Sequence, residues 1–240
     1  PYIIGIASSA TFGAVIAYLL KLPEFFYGIV AFICCMVSTL LIFKISKRGN
    51  KIEVNTLLIV GITLSAFLAG FTSFAIYMIG EDSFKITMWL MGYLGNVGWS
   101  QIVFLIIPLI FSSAYFYAKR NELDILMLGD EQAHSLGIDI AKLKFHLLIV
   151  SSFVVAYSVA FTGMIGFVGL IVPHIMRSII GPLNARLIPF VLIYGGIFLL
   201  ICDTFGRIIL APVEIPIGVI TSILGAPFFL YLALKRSRRK

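Results

Sequence analysis

Charge is the scarcest property of this 240-residue chain. Asp, Glu, Lys and Arg together make up only 12% of it, against about a quarter in soluble domains. Charges this sparse, gathered in short clusters between long uncharged runs, exclude a water-soluble enzyme, a nucleic-acid-binding module and a disordered chain. Cysteine is also rare. Cys34, Cys35 and Cys202 all sit in apolar runs, at spacings that suit neither a disulfide framework nor a metal site, and they read as small buried hydrophobes. No HExxH or comparable ligand spacing occurs and no P-loop lysine follows a glycine-rich turn, so no metal, cofactor or nucleotide site is expected. No internal repeat supports an inverted-repeat transporter. No signal peptide opens the chain, and Pro1 is not an initiator methionine, which reads as an N-terminally incomplete domain.

What the chain has instead is apolar length: 60% hydrophobic residues and a mean hydropathy of +1.08. A helix crossing a bilayer needs about 20 mostly apolar residues, each rising 1.5 Å through about 30 Å of hydrocarbon. Eight runs qualify, near 2–20, 23–43, 55–79, 99–118, 143–162, 165–180, 186–206 and 214–234. The fold class is therefore all-α, a polytopic membrane helical bundle with eight transmembrane helices in one domain over 1–240. Residues 86–95 are apolar but too short to span, and predict a short helix near one surface. Gly5, Ser9, Gly13 and Ala17, and again Ser152, Ala156 and Ala160, fall four apart, as close helix packing in lipid requires.

Fifteen of the eighteen Lys and Arg residues fall in one set of alternate loops, leaving Lys21, Lys85 and Arg207 in the other. The positive-inside rule puts the first set, and both ends of this chain, in the cytoplasm of a multi-pass cell (inner) membrane protein. The longest polar insertion, 119–144, lies on that side. Within it, Gly129 with Asp130 and Glu131 predicts a helix start, and Gly137 a stop about two turns later. Ala133, Leu136 and Ile140 recur at helical spacing, which predicts an amphipathic helix able to dock a soluble partner; a solvated connector is the alternative.

Here the residues resemble a known family. Gly129, Asp130, Glu131, Gln132, Ala133, His134, Ser135, Leu136 and Gly137 resemble the G-[ED]-E-x-A-x-x-L-G signature of FecCD-type ABC permeases, which take up iron-siderophores, haem and vitamin B12 (cobalamin). The likeness continues through GMIGFVGLIVPHIMR at 163–177, DTFGR at 203–207, EIPIGVIT at 214–221 and GAPFF at 225–229, and PYIIG at 1–5 resembles the start of that family's third helix. The resemblance implies a permease with helices three to ten of ten represented here, the first two being absent from this sequence. It implies that residues 129–137 form a coupling helix in the cytoplasmic loop 119–144, pressed by an ATP-binding cassette subunit. Its implied partners are a second copy of the chain, two such ATPases and an external or periplasmic substrate-binding protein, with the lipid bilayer around them and no nucleic acid. ATP hydrolysis would sit on the partner, so the chain is not an enzyme.

Other residues carry two readings. Asp203 and Arg207 stand i,i+4 near the outer end of the seventh span, where a local ion pair eases the cost of charge in lipid. The resemblance adds that Arg207 docks the binding protein, with Glu214 as a second outer contact. Val54, Asn55 and Thr56 resemble the family's cytoplasmic gate, although Val54 stands where a hydroxyl residue is expected; an Asn55 helix cap explains the same residues. Gly163, Gly166 and Gly169 read as a bend or close packing, and His174 as a structural hydrogen-bonder. The competing class is an ion-coupled secondary transporter of a small solute, which normally needs mid-membrane carboxylates. The acidic residues of this chain fall outside the middles of the spans, and no nucleophile–base pair within them suggests an intramembrane enzyme.

Overall fold

A computed structural model describes residues 5–48, 51–80, 83–95 and 97–237. In chain order the helices are α1 (Ile6–Leu19), α2 (Glu24–Ser46), α3 (Val54–Ile79), α4 (Ser83–Leu90), α5 (Trp99–Ala118) and α6 (Arg120–Leu126). They continue with α7 (Asp130–Ser135), α8 (Ile140–Thr162), α9 (Val168–Ile180), α10 (Asn184–Ile208) and α11 (Ile217–Ser237). Each expected span has its helix, and the short helix expected over 86–95 is α4, which starts three residues earlier and ends at Leu90. Residues 1–4 of the opening motif and residues 238–240 of the basic C-terminus lie outside the described residues. Among the described residues the strands are β1 (Lys47–Arg48) and β2 (Lys51–Ile52), an antiparallel ribbon with Lys47 opposite Ile52.

Among the described residues, α2, α3, α5, α8 and α10 are long and apolar enough to cross a bilayer, and α1, α9 and α11 contain shorter apolar stretches. The 13 residues of α9 rise about 20 Å, less than the hydrocarbon core. A non-helical turn, 163–167, precedes it. Irregular backbone at membrane depth is tolerated only where protein covers it, and Gly163 and Gly166 are buried.

The interior is built on α1, which packs against α2, α3 and α8. Lipid is as apolar as leucine, so no hydrophobic force draws these helices together; close backbone approach does. The small-residue ladders supply it. Ala10 and Ala14 of α1 meet Ala31 and Cys35 of α2 and Ala156 and Ala160 of α8 in one buried cluster. A methyl group added at Gly13 would come within 2.7 Å of the Ala31 Cα. A buried hydroxyl pair, Thr39 with Ser152 at 3.0 Å, ties α2 to α8 in the same seam, and Phe32 stacks edge-on to Phe153 at 5.3 Å. Cys35 and Cys202 are fully buried as expected, whereas Cys34 is half-buried. Cys35 also does more than fill space: its thiol donates to the Ser152 carbonyl at 3.6 Å.

The outside of the bundle is the reverse of a soluble surface. Ile107, Ile193 and Leu200 are each more than 60% exposed, and the apolar windows of α5 and α10 are only 11% buried. Side chains this apolar face acyl chains. Ion pairs gather at the two ends instead. One end holds the β1–β2 ribbon, α6, α7 and the start of α10; the other holds α4, residues 91–95 and 97–98, the 163–167 turn and the 209–216 turn.

Gly13→Ala is expected to destabilise the bundle by about 1–3 kcal/mol, because the Ala31 backbone cannot yield to an added methyl. Gly70→Ala on α3, where nothing stands within 4 Å of a new methyl, is expected to be neutral or slightly stabilising. Reversible unfolding of both variants in mixed micelles checks the contrast.

Candidate functional site

The polar loop folds as two short helices. After α5 the chain turns on Lys119, whose ammonium pairs with Glu122 at 2.7 Å, and on Arg120, whose guanidinium lies 4.6 Å over the Tyr117 ring. The Lys119 hydrogen bond holds the Glu122 carboxyl below the usual carboxylate range. Next, α7 forms between two glycines in the left-handed half of φ space, Gly129 at +115° and Gly137 at +81°, where a side chain would be strained. Its exit is a Schellman turn: the Gly137 N–H donates to the His134 carbonyl at 2.9 Å and the Ile138 N–H to that of Ala133 at 3.1 Å.

This helix stands out from the body of the protein. Ala133 is fully buried, while Asp130, Glu131, Gln132, His134, Ser135 and Leu136 are exposed. Leu136 is 63% exposed, beside the sequence neighbours Met127 and Leu128 of the loop at 50% and 62%. The apolar face expected from Ala133, Leu136 and Ile140 needs correcting. Gly137 ends the turn, so Ile140 begins α8 instead of extending α7, and Ala133 and Leu136 differ sharply in burial. The helix covers six residues, shorter than the two turns expected.

Two polar contacts bolt this loop to spanning helices. Lys144 of α8 pairs with Asp130 of α7 at 2.6 Å. Asp124 of α6 accepts from both the backbone N–H and the side-chain amide of Asn184, the first residue of α10, at 2.9 and 2.6 Å. Neither pairing is visible in sequence, since the partners of the second stand sixty residues apart. A third contact caps α8. Asp139 accepts from the Lys142 N–H at 3.1 Å, and that bond holds its carboxyl below the usual range.

At the same end, β2 packs on α8 and leads into α3. Val54 opens that helix, its side chain lying outside the described residues; Asn55 is exposed and Thr56 half-buried. The cap position is Glu53, not Asn55, and the Thr56 hydroxyl donates back to the Glu53 carboxylate at 2.8 Å. Asn55 is therefore a helix residue rather than its cap.

The opposite end carries the other cluster. Arg207 Nε lies 2.8 Å from Asp203 Oδ2, and its Nη1 lies 3.5 Å from Glu214 Oε1. Glu214 sits in the turn before α11, which starts three residues later than the expected span. The cluster has a member the sequence did not single out. Tyr93 donates its hydroxyl to Glu214 Oε2 at 2.8 Å, which holds the phenol above its usual range. Its N–H donates to the Thr162 carbonyl at 2.9 Å. An aromatic in a short apolar segment carried no signal of a partner 121 residues away. Nearby, Gly163 closes α8 where an added methyl would fall 1.8 Å from the Trp89 carbonyl, whereas Gly169 has open space around it. Close packing thus explains the first glycine of that motif and not the third. His174 is exposed, with its ring 6.0 Å from that of Phe228.

A model of the FecCD transport family matches residues 1–235. The cobalamin import system permease protein BtuC of Halobacterium salinarum is 37% identical over 242 residues, which cover all of this chain and 64% of that protein. The hemin transport system permease protein HmuU of Yersinia pestis is 33% identical over 250 residues, covering all of this chain and 74% of that protein. Among solved structures, one described as an inward-facing conformation of a metal-chelate type ABC transporter matches with a TM-score of 0.90 at 29% identity, over 98% of this chain and 75% of that one. The chain thus spans less than two thirds of the haloarchaeal relative and about three quarters of the other two.

The cap on α8 makes a prediction about pH. Because the folded Asp139 carboxyl lies below its ordinary value, its contribution is fully present above about pH 3.9 and is lost as pH falls through the folded value. Protection of the first-turn amides of α8 is expected to stay flat from pH 7 to pH 5. Asp139→Ala is expected to fray that turn at neutral pH, and hydrogen exchange read by mass spectrometry detects it; equal protection in the variant would refute the cap.

Proposed function

The chain belongs to the FecCD transport family, and on that premise we propose that it is the membrane-spanning permease subunit of an ATP-driven importer of a bulky metal chelate. The relatives named for cobalamin and hemin transport support that class of cargo. The functional unit is a homodimer whose shared interface encloses the path, with two ATP-binding cassette subunits on the basic end and a substrate-binding protein on the other. The basic end is cytoplasmic by the positive-inside rule.

One observation carries the reading: an exposed six-residue helix on the basic end, α7, fixed between two glycine turns and tied to the spanning helices. A lever needs a contact face, defined turns and a connection to what it moves. Residues 129–137 supply the first two, and Asp130 with Lys144 supplies the third. Glu131 and Leu136 give α7 one acidic and one apolar contact for the ATPase.

At the outer end Arg207 presents a 43% exposed guanidinium. It is the docking cation for an acidic group on the binding protein, and Glu214 shapes the same surface. Asn55 and Thr56, beside Val54, line the inner end of the path. Apart from Lys142 and Lys144 near the start of α8, and the Asp203–Arg207 pair near the end of α10, the helices carry few charges away from their termini. A path without strong binding groups suits a large ligand that must also leave.

Vesicles carrying the permease, its ATPases and the binding protein test the reading with cobalamin and haem as cargo. Uptake is expected to require ATP inside the cytoplasmic compartment. Uptake driven by a proton or sodium gradient without the ATPases would instead establish an ion-coupled transporter. Leu136→Ser is expected to reduce ATPase copurification while leaving membrane insertion intact. Arg207→Glu is expected to weaken binding-protein affinity roughly three- to tenfold at low salt, with a smaller loss at moderate salt, as for a rim charge.

A further inference from the structure

The loop that carries α7 also caps a spanning helix. The first backbone N–H groups of any helix lack intrahelical acceptors, and at the start of α10 the cap position is Leu183, which has no side-chain oxygen to offer. The missing acceptor comes from another element. Asp124 Oδ1 takes both the N–H and the side-chain amide of Asn184 at 2.9 and 2.6 Å, and Asn184 is only 7% exposed. A carboxylate in that position also complements the helix dipole. The second tether of the loop differs in kind. Asp130 and Lys144 form a single ion pair whose carboxylate is 54% exposed, which water screens and which sets no direction.

The helix so capped runs 25 residues from Asn184 to Ile208, about 37 Å, and its last turn carries Arg207 held by Asp203 at 2.8 Å. One continuous helix therefore joins the ATPase-facing loop to the docking cluster. We propose that the Asp124–Asn184 contact is the joint through which α10 links the two partner surfaces, and that Asp124 is a positioning residue for coupling. The proposal rests on the importer reading above. A shift of α6 relative to α10 must either drag the helix start with it or leave two buried donors unpaired, so the cheaper response is for α10 to follow.

Linkage makes the test quantitative. If α10 couples the two surfaces, nucleotide on the ATPase and binding protein on the outer face change each other's affinity by one common factor. The measurement is the Kd of the binding protein for the full complex in nanodiscs, with and without a nonhydrolysable ATP analogue. The two values are expected to differ at least about fivefold in the wild type. In Asp124→Ala their ratio is expected to fall below about twofold, with the ATPases still copurifying through α7. The double variant Asp124→Asn with Asn184→Asp keeps an oxygen at position 124 to accept the backbone N–H of residue 184 and reverses the side-chain bond, so it is expected to restore the ratio. Where Asp124→Ala does not insert, Asn184→Ala removes the side-chain bond from the other side and is expected to lower the ratio likewise.

A variant that keeps the wild-type ratio would overturn the joint. So would a variant that weakens both affinities equally, because a merely structural contact behaves that way. A wild-type complex that fails to recruit ATPases or binding protein fails the importer reading itself, and is told apart by that failure to assemble.

Discussion

Helices in hydrocarbon are held together by how closely their backbones can approach, because the lipid around them is as apolar as their own side chains. The seam of α1, α2 and α8 answers that constraint. Ala10, Ala14, Ala31, Ala156 and Ala160 are small enough to let three helices meet, and Gly13 is pressed so near Ala31 that hydrogen is the only substituent it accommodates. Many large apolar residues, Ile193 and Leu200 among them, face outward. The inversion of the soluble pattern, with small residues inside and large apolar ones outside, follows from the solvent alone.

With the interior so apolar, recognition is pushed to the ends. The ion pairs Lys119 with Glu122, Lys142 with Asp139, Lys144 with Asp130, and Arg207 with Asp203 and Glu214 each involve a loop or the first or last turns of a helix. An unpaired charge at a helix centre would cost about 2.5–3.5 kcal/mol on insertion scales. Conversion of an event at one end into a response at the other must then pass through the helices as rigid or hinged bodies. That is why the contacts binding loops to helix ends, Asp130 to Lys144 and Asp124 to Asn184, matter more here than any polar group at mid-membrane.

The 119–144 loop shows how far local signals reach. Its glycines, its acidic first turn and its position between two spans are all sequence features, and α7 lies where they put it. The face it presents differs from the one its spacing predicts, because the helical period breaks at Gly137, at +81° in φ, where the chain changes direction. Periodicity has meaning only within one element, and a glycine able to adopt either sign of φ is where it stops.

The sequence by itself determined the membrane class, the order of the apolar helices, the segregation of the basic residues into alternate loops and the family, because each rests on composition, run length or local spacing. The Asp203–Arg207 pair was legible for the same reason, being a short-range i,i+4 feature. Tertiary structure alone decided what those residues touch. Tyr93 joining Glu214, Asp124 capping α10, and the Cys35 thiol meeting the Ser152 carbonyl are pairings across 60 to 121 residues of chain. Such pairings arise from the way the spans pack against one another. Lipid exerts almost no residue-specific pull that a one-dimensional pattern could record, so the geometry that unites distant polar groups emerges only when the small-residue seams close.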